Sequence, residues 1–149
     1  MRLRSIFNIT NKDSEYTATT LDRTMEMDTS DSVLSPCPVS PNCVCSKLPQ
    51  SDSHYIEPLV PKASTLKIFP LLVQYVKQLP KAELQEEASH YVRVAIYSRF
   101  LGFTDDLELF FAGSKIHVRS ASRTGWYDFG VNRRRVESIR RYMENELDD

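Results

Sequence analysis

The sequence has few of the residues that mark well-known catalytic loops and membrane anchors. It contains four glycines, one tryptophan and three cysteines in 149 residues. No glycine-rich phosphate loop, nucleophile elbow or zinc-protease motif is present. The longest uncharged apolar run, residues 68–76, is far shorter than the roughly 20 residues that span a bilayer. These absences argue against the enzyme classes that depend on such motifs, and they predict no transmembrane segment.

The N-terminus and the cysteines bear on the cellular compartment. Residues 1–4 are followed by a polar stretch and not by the apolar core of a secretion signal, so we expect a cytoplasmic location. In that reducing compartment Cys37, Cys43 and Cys45 are expected to be free thiols. A Cys37–Cys43 bridge and a metal site completed by His54 are the alternatives, although the cysteine spacing does not match paired zinc knuckles. We predict neither a metal nor a cofactor.

Composition divides the chain into three parts. Residues 1–35 show no sustained periodicity and are predicted to form a disordered tail. Residues 36–63 are rich in proline and cysteine and are predicted to be an extended arm. Residues 64–149 hold most of the Phe, Tyr, Leu and Val side chains and are predicted to be the packed core. The arm and the core together form one domain, residues 36–149.

Hydrophobic periodicity predicts two helices. The first opens at Ser64 and ends before Pro80, with an apolar stripe formed by Leu66, Phe69, Val73 and Val76. Pro70 must then lie in the first turn of this helix or kink it. The second helix begins with Asn132 as its N-cap and runs to about residue 147. Its inner stripe is formed by Val136, Ile139, Met143 and Leu147.

Between the helices the apolar period changes to two. Residues 90–100, 103–112 and 115–122 alternate in the way typical of half-buried antiparallel strands. Residues 82–88 are interpreted as a weaker, charged edge strand, and His90 is expected to be a core residue. The predicted fold class is therefore α+β, with a three- or four-stranded antiparallel sheet packed with two helices and preceded by the Pro-rich extended arm.

An arginine-rich stretch near the C-terminus is the strongest candidate for a site. Residues 119–141 carry seven arginines and two acids, whereas residues 82–110 carry six acids and two arginines. Guanidinium groups beside a helix N-terminus are suited to phosphate or carboxylate. We therefore predict a site for an anionic ligand made of Arg119, Ser120, Ser122, Arg123, Asp128, Asn132, Arg133 and Arg134.

The same arginines also have a purely structural interpretation. Arg99 and Arg119 would pair across strands with Asp106 and Glu108, and Asp128 would hold an arginine of the second helix. By contrast, three arginines in the first turn of that helix oppose its dipole, and a broken local rule of this kind is a hint of function. Loop aromatics, here Trp126 and Tyr127, more often pack over a core than face solvent. The sequence pI of about 6.3 argues against a nucleic acid partner.

Several motifs resemble the domain-of-unknown-function family 1499. They are Cys-Pro-Val-Ser-Pro-Asn-Cys-Val at 37–44, His-Tyr-Ile-Glu-Pro-Leu at 54–59, the stretch 98–108, Val-Arg-Ser-Ala-Ser-Arg at 118–123 and Asp-Phe-Gly-Val-Asn-Arg-Arg-Arg at 128–135. The resemblance covers roughly residues 36–145 and implies no known activity. It implies that any disulfide joins Cys37 to Cys43, with Cys45 an extra cysteine where the family usually has serine.

These observations lead to one functional hypothesis and one alternative. We predict a non-enzymatic binding or accessory module whose arginine-rich loop contacts an anionic small molecule or an acidic protein surface. The alternative is a hydrolase- or redox-type enzyme that uses Cys43, His117 or the pair Asp105 and Asp106.

Overall fold

The fold is seen in a computed structural model that describes residues 33–99 and 102–148. Most of the predicted disordered tail lies outside these residues. The strands are β1 (Cys43–Cys45), β2 (Ala82–Ala88), β3 (Tyr91–Tyr97), β4 (Thr104–Ala112) and β5 (Lys115–Ser122). All neighbours are antiparallel, and the order across the sheet is β1-β5-β4-β3-β2.

The predicted α+β class is confirmed, but the predicted number of strands is wrong. The sheet has five strands because β1, which lies within the arm, pairs with β5. In this register Cys43 faces Ala121 and Cys45 faces Arg119. This strand could not be predicted from the Pro-rich sequence, since three residues are too few to show an alternation of apolar and polar side chains. The arm is thus partly an integral edge of the sheet.

Two helices follow the predicted positions closely. They are α1 (Thr65–Lys77) and α2 (Val131–Tyr142), and α2 continues as a π-helical turn, Met143–Leu147. Pro70 lies within α1, in its second turn. The predicted stripe of α1 is wrong at Leu66, which is 69% exposed, because the buried face is turned towards Ile68 and Leu72.

The helices cover one face of the sheet, which we call the helix face. Its core is formed by alternate strand residues, Val92, Val94, Ile96, Leu107, Leu109, Ile116 and Val118, packed against apolar side chains of both helices. The predicted period-two alternation is confirmed for these strands. Of the stripe predicted for the second helix, Val136 and Ile139 in α2 and Met143 in the π-helical turn are buried, whereas Leu147 is only partly buried. The helix face therefore supplies the main hydrophobic stabilisation of the domain.

The start of the arm crosses the opposite face, which we call the arm face. Leu34 is 2% exposed and packs with Cys45 and Phe110 in a second, smaller apolar cluster. Leu34 belongs to the segment that the sequence analysis assigned to the tail. His90, which was expected in the core, is exposed in the turn before β3, where its ring stacks on Phe111 with 5.3 Å between centroids.

The edge strand β2 differs from the other long strands in its exposure. Six of its seven residues are exposed, Glu83, Glu86 and Glu87 among them. Its pairing with β3 shifts register between Leu84 and Glu86, as in a β-bulge. The predicted charged edge strand is confirmed.

Candidate functional site

Three of the arginines in the predicted site region form ion pairs with carboxylates of β4. Arg119 Nη1 lies 2.8 Å from Glu108 Oε2, and Arg135 Nη2 lies 2.7 Å from Asp105 Oδ2. Arg123 donates from Nε and Nη2 to the two oxygens of Asp106, both at 2.9 Å. In these pairs the arginines of β5, α2 and the loop after β5 neutralise the carboxylates of β4. The structural interpretation of the arginines expected such pairing for Arg119, Asp106 and Glu108.

Glu108 is the most deeply buried carboxylate among the described residues, at 1% exposed. Besides Arg119, it accepts hydrogen bonds at Oε1 from the Tyr91 hydroxyl at 2.9 Å and the Ser35 hydroxyl at 3.1 Å. Arg119 also donates to the Pro36 carbonyl at 3.0 Å. Burial, together with the hydrogen bond to Glu108, raises the pKa of Tyr91, so its hydroxyl remains a donor. This network fastens the arm to the arm face.

Ser120 and Asn132, which the sequence analysis placed in the site, lie in the interior at 0% exposed. The Ser120 hydroxyl donates to Asn132 Oδ1 at 2.7 Å, and Asn132 Nδ2 donates to Ser122 Oγ at 3.1 Å and to the Asn42 carbonyl at 3.2 Å. In this structure these side chains join α2 to β5 and to the arm.

Asp128 caps α2. Its Oδ1 accepts from the Gly130 N–H at 2.9 Å, and its Oδ2 accepts from the Asn132 N–H at 3.0 Å and from Asn132 Nδ2 at 2.8 Å. The prediction that Asn132 is the N-cap is therefore wrong, since the cap residue is Gly130, at φ 75°, and Asp128 supplies the acceptor. Burial opposes ionisation of Asp128, but these hydrogen bonds outweigh it and hold its pKa below the ordinary value.

Replacing Asp128 by Ala is expected to lower the free energy of unfolding by about 1–2 kcal/mol, because the first turn of α2 loses its acceptor. Urea unfolding of both proteins measures the difference. Since the folded pKa of Asp128 is depressed, its contribution is complete above the unfolded pKa and is lost as the pH falls through the folded pKa. Asp128→Asn serves as the control, because it keeps one acceptor. Equal stability of Asp128→Ala and wild type at pH 7 would contradict the capping role.

Two other arginines of α2, Arg133 and Arg134, donate to neutral carbonyls and not to carboxylates. Arg133 donates to the carbonyls of Tyr55 and Ser53 at 3.0 and 3.1 Å. Arg134 Nη1 donates to the Phe129 carbonyl at 2.7 Å. Both arginines are exposed. Their charges are therefore uncompensated by the contacts that hold them, and they remain available to an acidic group.

The loop between β5 and α2, residues 123–130, carries the most exposed aromatic side chains of the described residues. We call it the aromatic loop. Trp126 is 67% exposed, Tyr127 62% and Phe129 74%, so the expectation that the loop aromatics pack over a core is wrong. The Tyr127 and Phe129 rings meet edge to face with 5.0 Å between centroids. Exposed apolar surface of this kind is typical of interaction sites.

Hydrogen bonds hold the aromatic loop in a defined conformation. Asn42 Nδ2 donates to the carbonyls of Gly125 and Thr124 at 2.9 and 3.3 Å. Phe129 has φ 54°, a left-handed conformation that is uncommon for a non-glycine residue, and the adjacent Gly130 has φ 75°. This conformation is unfavourable for a phenylalanine, and it lies beside the exposed apolar side chains of the loop.

The cysteines adopt one of the alternatives to free thiols. Cys37 and Cys43 form a disulfide, as the family resemblance implied, so the expectation of free thiols is wrong for this pair. Cys45 is free and buried, and burial raises the pKa of its thiol. A raised pKa keeps Cys45 in the unreactive thiol form near neutral pH.

The groups that the enzyme alternative requires have separate partners. Cys43 is in the disulfide, and His117 Nδ1 lies 3.1 Å from Ser46 Oγ. Asp105 and Asp106 are consecutive in β4, so they face opposite sides of the sheet, and each pairs with an arginine. Across residues 33–99 and 102–148, no three His, Cys, Asp or Glu side chains are grouped to hold a metal ion.

Several important residues were outside the predicted site. The sequence analysis missed Asn42, Tyr91 and Ser35 because each is an ordinary polar residue far in sequence from the group that it contacts. Phe103 and Phe129 were also missed, although an aromatic beside a glycine in a loop gives a weak signal. The predicted residues Arg119, Ser122 and Arg123 do meet, in a groove of about 380 Å³ that residues 36–38 also line.

Neither described helix has the length and apolar character needed to cross a bilayer.

Comparison with known proteins identifies a family. No curated protein and no solved structure matches the chain. The sequence matches a family described as "Protein of unknown function (DUF1499)" over residues 33–143. This match covers most of the 149 residues and includes the arm, all five strands and α2. The chain belongs to the DUF1499 family.

Proposed function

We propose that this domain is a non-enzymatic binding module that recognises an acidic protein surface through the aromatic loop, Arg133 and Arg134. The observation that carries the proposal is the exposure of Trp126, Tyr127 and Phe129 on a loop that hydrogen bonds hold in place. Tryptophan, tyrosine and arginine are the residues that most often dominate the binding free energy of protein interfaces. A preformed loop also loses little conformational entropy on binding.

The charges around the loop support an acidic partner. Arg119, Arg123 and Arg135 are already paired with carboxylates, so a ligand would gain little from them. Arg133 and Arg134 are exposed and bind only neutral carbonyls. A small inorganic anion would not use the neighbouring aromatic side chains, whereas a protein surface would cover them together with the arginines. A cytoplasmic location remains a prediction.

The test is a selection from a displayed library of random peptides against the folded full-length chain. We expect enrichment of peptides that combine acidic residues with an apolar side chain. Binding should fall at least tenfold in Phe129→Gly, which removes the ring and also suits the backbone at φ 54°. Because this glycine relieves strain, lost binding will not reflect lost folding.

Matched variants control for general effects on surface and charge. Leu66→Gly removes a side chain that is 69% exposed on α1, far from the loop in sequence, and should leave peptide binding unchanged. Arg134→Gln should weaken binding, whereas Arg141→Gln, a change of the same charge on the same helix, should not. The proposal fails if Phe129→Gly binds the selected peptides normally. It also fails if the loop variants lose binding to anionic lipid vesicles and the wild type selects no peptide.

A further inference from the structure

The aromatic loop forms part of the wall of a cavity that is open to solvent, at one end of the helix face. The cavity has a volume of about 170 Å³. Phe103, Tyr127, Phe129 and Val131 form its apolar walls, and the exposed surface inside it is mainly apolar. Gly125 lies against Phe103, since a Cβ on Gly125 would meet that ring at 3.7 Å. The cavity is thus built by the same loop that carries the exposed aromatics.

Four of the polar side chains that line the cavity already have hydrogen-bond partners within the protein. Asp105 Oδ2 accepts from Arg135, and Ser122 Oγ accepts from Asn132. Ser98 Oγ accepts from the Phe103 N–H at 2.9 Å. Both oxygens of Asp128 are used in capping α2. An occupant therefore gains little from polar contacts at the base, and the walls favour an apolar group.

The volume selects the size of that group. An engineered apolar cavity of about 150 Å³ in another protein is known to take benzene. A cavity of about 170 Å³ accordingly fits one phenyl ring or one branched aliphatic side chain. It is too small for a nucleotide or a drug-sized molecule, whose pockets are typically about 300–1,000 Å³.

The charge at the rim of the cavity determines which charged groups can lie next to the bound apolar group. Arg134 Nη1 binds the Phe129 carbonyl and would lie 3.1 Å from a Cβ on Gly130, so its guanidinium group covers this side of the loop. Asp128 also lines the cavity, but its carboxylate oxygens accept hydrogen bonds from the first turn of α2. A carboxylate near the ring would meet the positive charge of Arg134, whereas an ammonium group would be repelled by it.

We propose that this cavity is an anchor pocket for one aromatic or branched aliphatic side chain of an acidic peptide segment. The inference rests on the proposed function and specifies how the partner is recognised. The ring enters between Phe103 and Phe129, and the acidic residues beside it contact Arg134. This arrangement is the usual one for a hot spot, in which a buried apolar anchor is surrounded by polar contacts.

A small probe that joins a phenyl ring to a carboxylate tests the pocket directly. We expect 3-phenylpropionate to bind the full-length chain with a Kd of about 1 mM, a normal affinity for a ligand of this size. Binding should shift the amide NMR signals of Gly125 and of residues 127–131. Propionate, which lacks the ring, and 3-phenylpropylammonium, which has the opposite charge, should each bind at least tenfold more weakly.

A variant that fills the pocket separates this inference from the broader proposal. Val131→Trp places a large ring at the pocket wall, in the first turn of α2, and should reduce 3-phenylpropionate binding at least tenfold. Leu66→Trp adds the same ring to an exposed site on α1 and should have no effect. Equal binding of selected acidic peptides by wild type and Val131→Trp would overturn the anchor pocket while leaving the binding module in place. Equal affinity for propionate and 3-phenylpropionate would also overturn it.

Discussion

Replacing Glu108 by Ala is expected to lower the free energy of unfolding by about 3–5 kcal/mol, because Arg119 would remain buried without its carboxylate. Arg119 is 9% exposed and Glu108 1%, so water cannot readily replace the lost partner. Tyr91 and Ser35 would lose their acceptor at the same time. Chemical denaturation of both proteins measures the difference in unfolding free energy. The dependence of this free energy on denaturant concentration is taken to be the same for both proteins.

Removing both charges distinguishes a buried ion pair from simple loss of packing. The double variant Glu108→Leu, Arg119→Leu should recover the part of the stability that Glu108→Ala loses by leaving Arg119 unpaired, since apolar pairs of similar volume often replace buried ion pairs without loss. The part lost because Tyr91 and Ser35 have no acceptor should remain. Asp106→Ala is the matched control on the same strand face. Its partner Arg123 is more exposed, so this change should cost about 1 kcal/mol or less. A similar loss in Glu108→Ala and Asp106→Ala would contradict the importance of burial.

Loss of the Cys37–Cys43 disulfide is expected to have the second largest effect on stability. The bridge closes a short loop, with a sequence separation of 6. The chain-entropy model then gives a stabilisation of about 2 kcal/mol relative to the reduced chain. We therefore expect the double variant Cys37→Ala, Cys43→Ala to unfold at lower denaturant concentration by a corresponding amount.

Reduction provides an internal check on that result. Dithiothreitol should destabilise the wild type by a similar amount and leave the double variant unchanged, since Cys45 is buried and unpaired. A reducing agent that destabilises the double variant would show that the effect comes from elsewhere. Wild type that is equally stable with and without the reducing agent would show that the bridge adds nothing to the folded state.

Local patterns predicted the elements that have strong periodicity. The alternation of Val92, Val94 and Ile96 was sufficient to identify β3, because apolar residues at every second position of a strand all point to the same, buried face of the sheet. The stripe of Val136 and Ile139 identified α2 in the same way. These predictions succeeded because the period and the buried face are both written in neighbouring residues.

Predictions failed where a distant contact decides the outcome. Leu66 and Leu72 both lie at helical spacing from Phe69, and only packing against the sheet decides that Leu72 is the buried one. The strand β1 depends on pairing with residues 119–121, about 75 positions away in the sequence. Periodicity within a short window carries no information on such contacts.

The candidate site shows the same division. The sequence identified residues 119–135 as unusual because arginines are concentrated there. It did not show which guanidinium groups have carboxylate partners, since Glu108 and Asp106 reach Arg119 and Arg123 only through the register of β4 and β5. It also did not show that Asn42, from the arm, binds the carbonyls of Thr124 and Gly125 beside the exposed Trp126.

The acidic edge strand β2 has a consequence for self-association. An unprotected sheet edge is a template on which another copy can add a strand and begin a fibril. Here an incoming copy would have to bring its own Glu83, Glu86 and Glu87 against the same three carboxylates, and the irregular register at Leu84 would disrupt the new pairing. Repulsion between identical edges therefore protects the folded protein from amyloid growth near neutral pH.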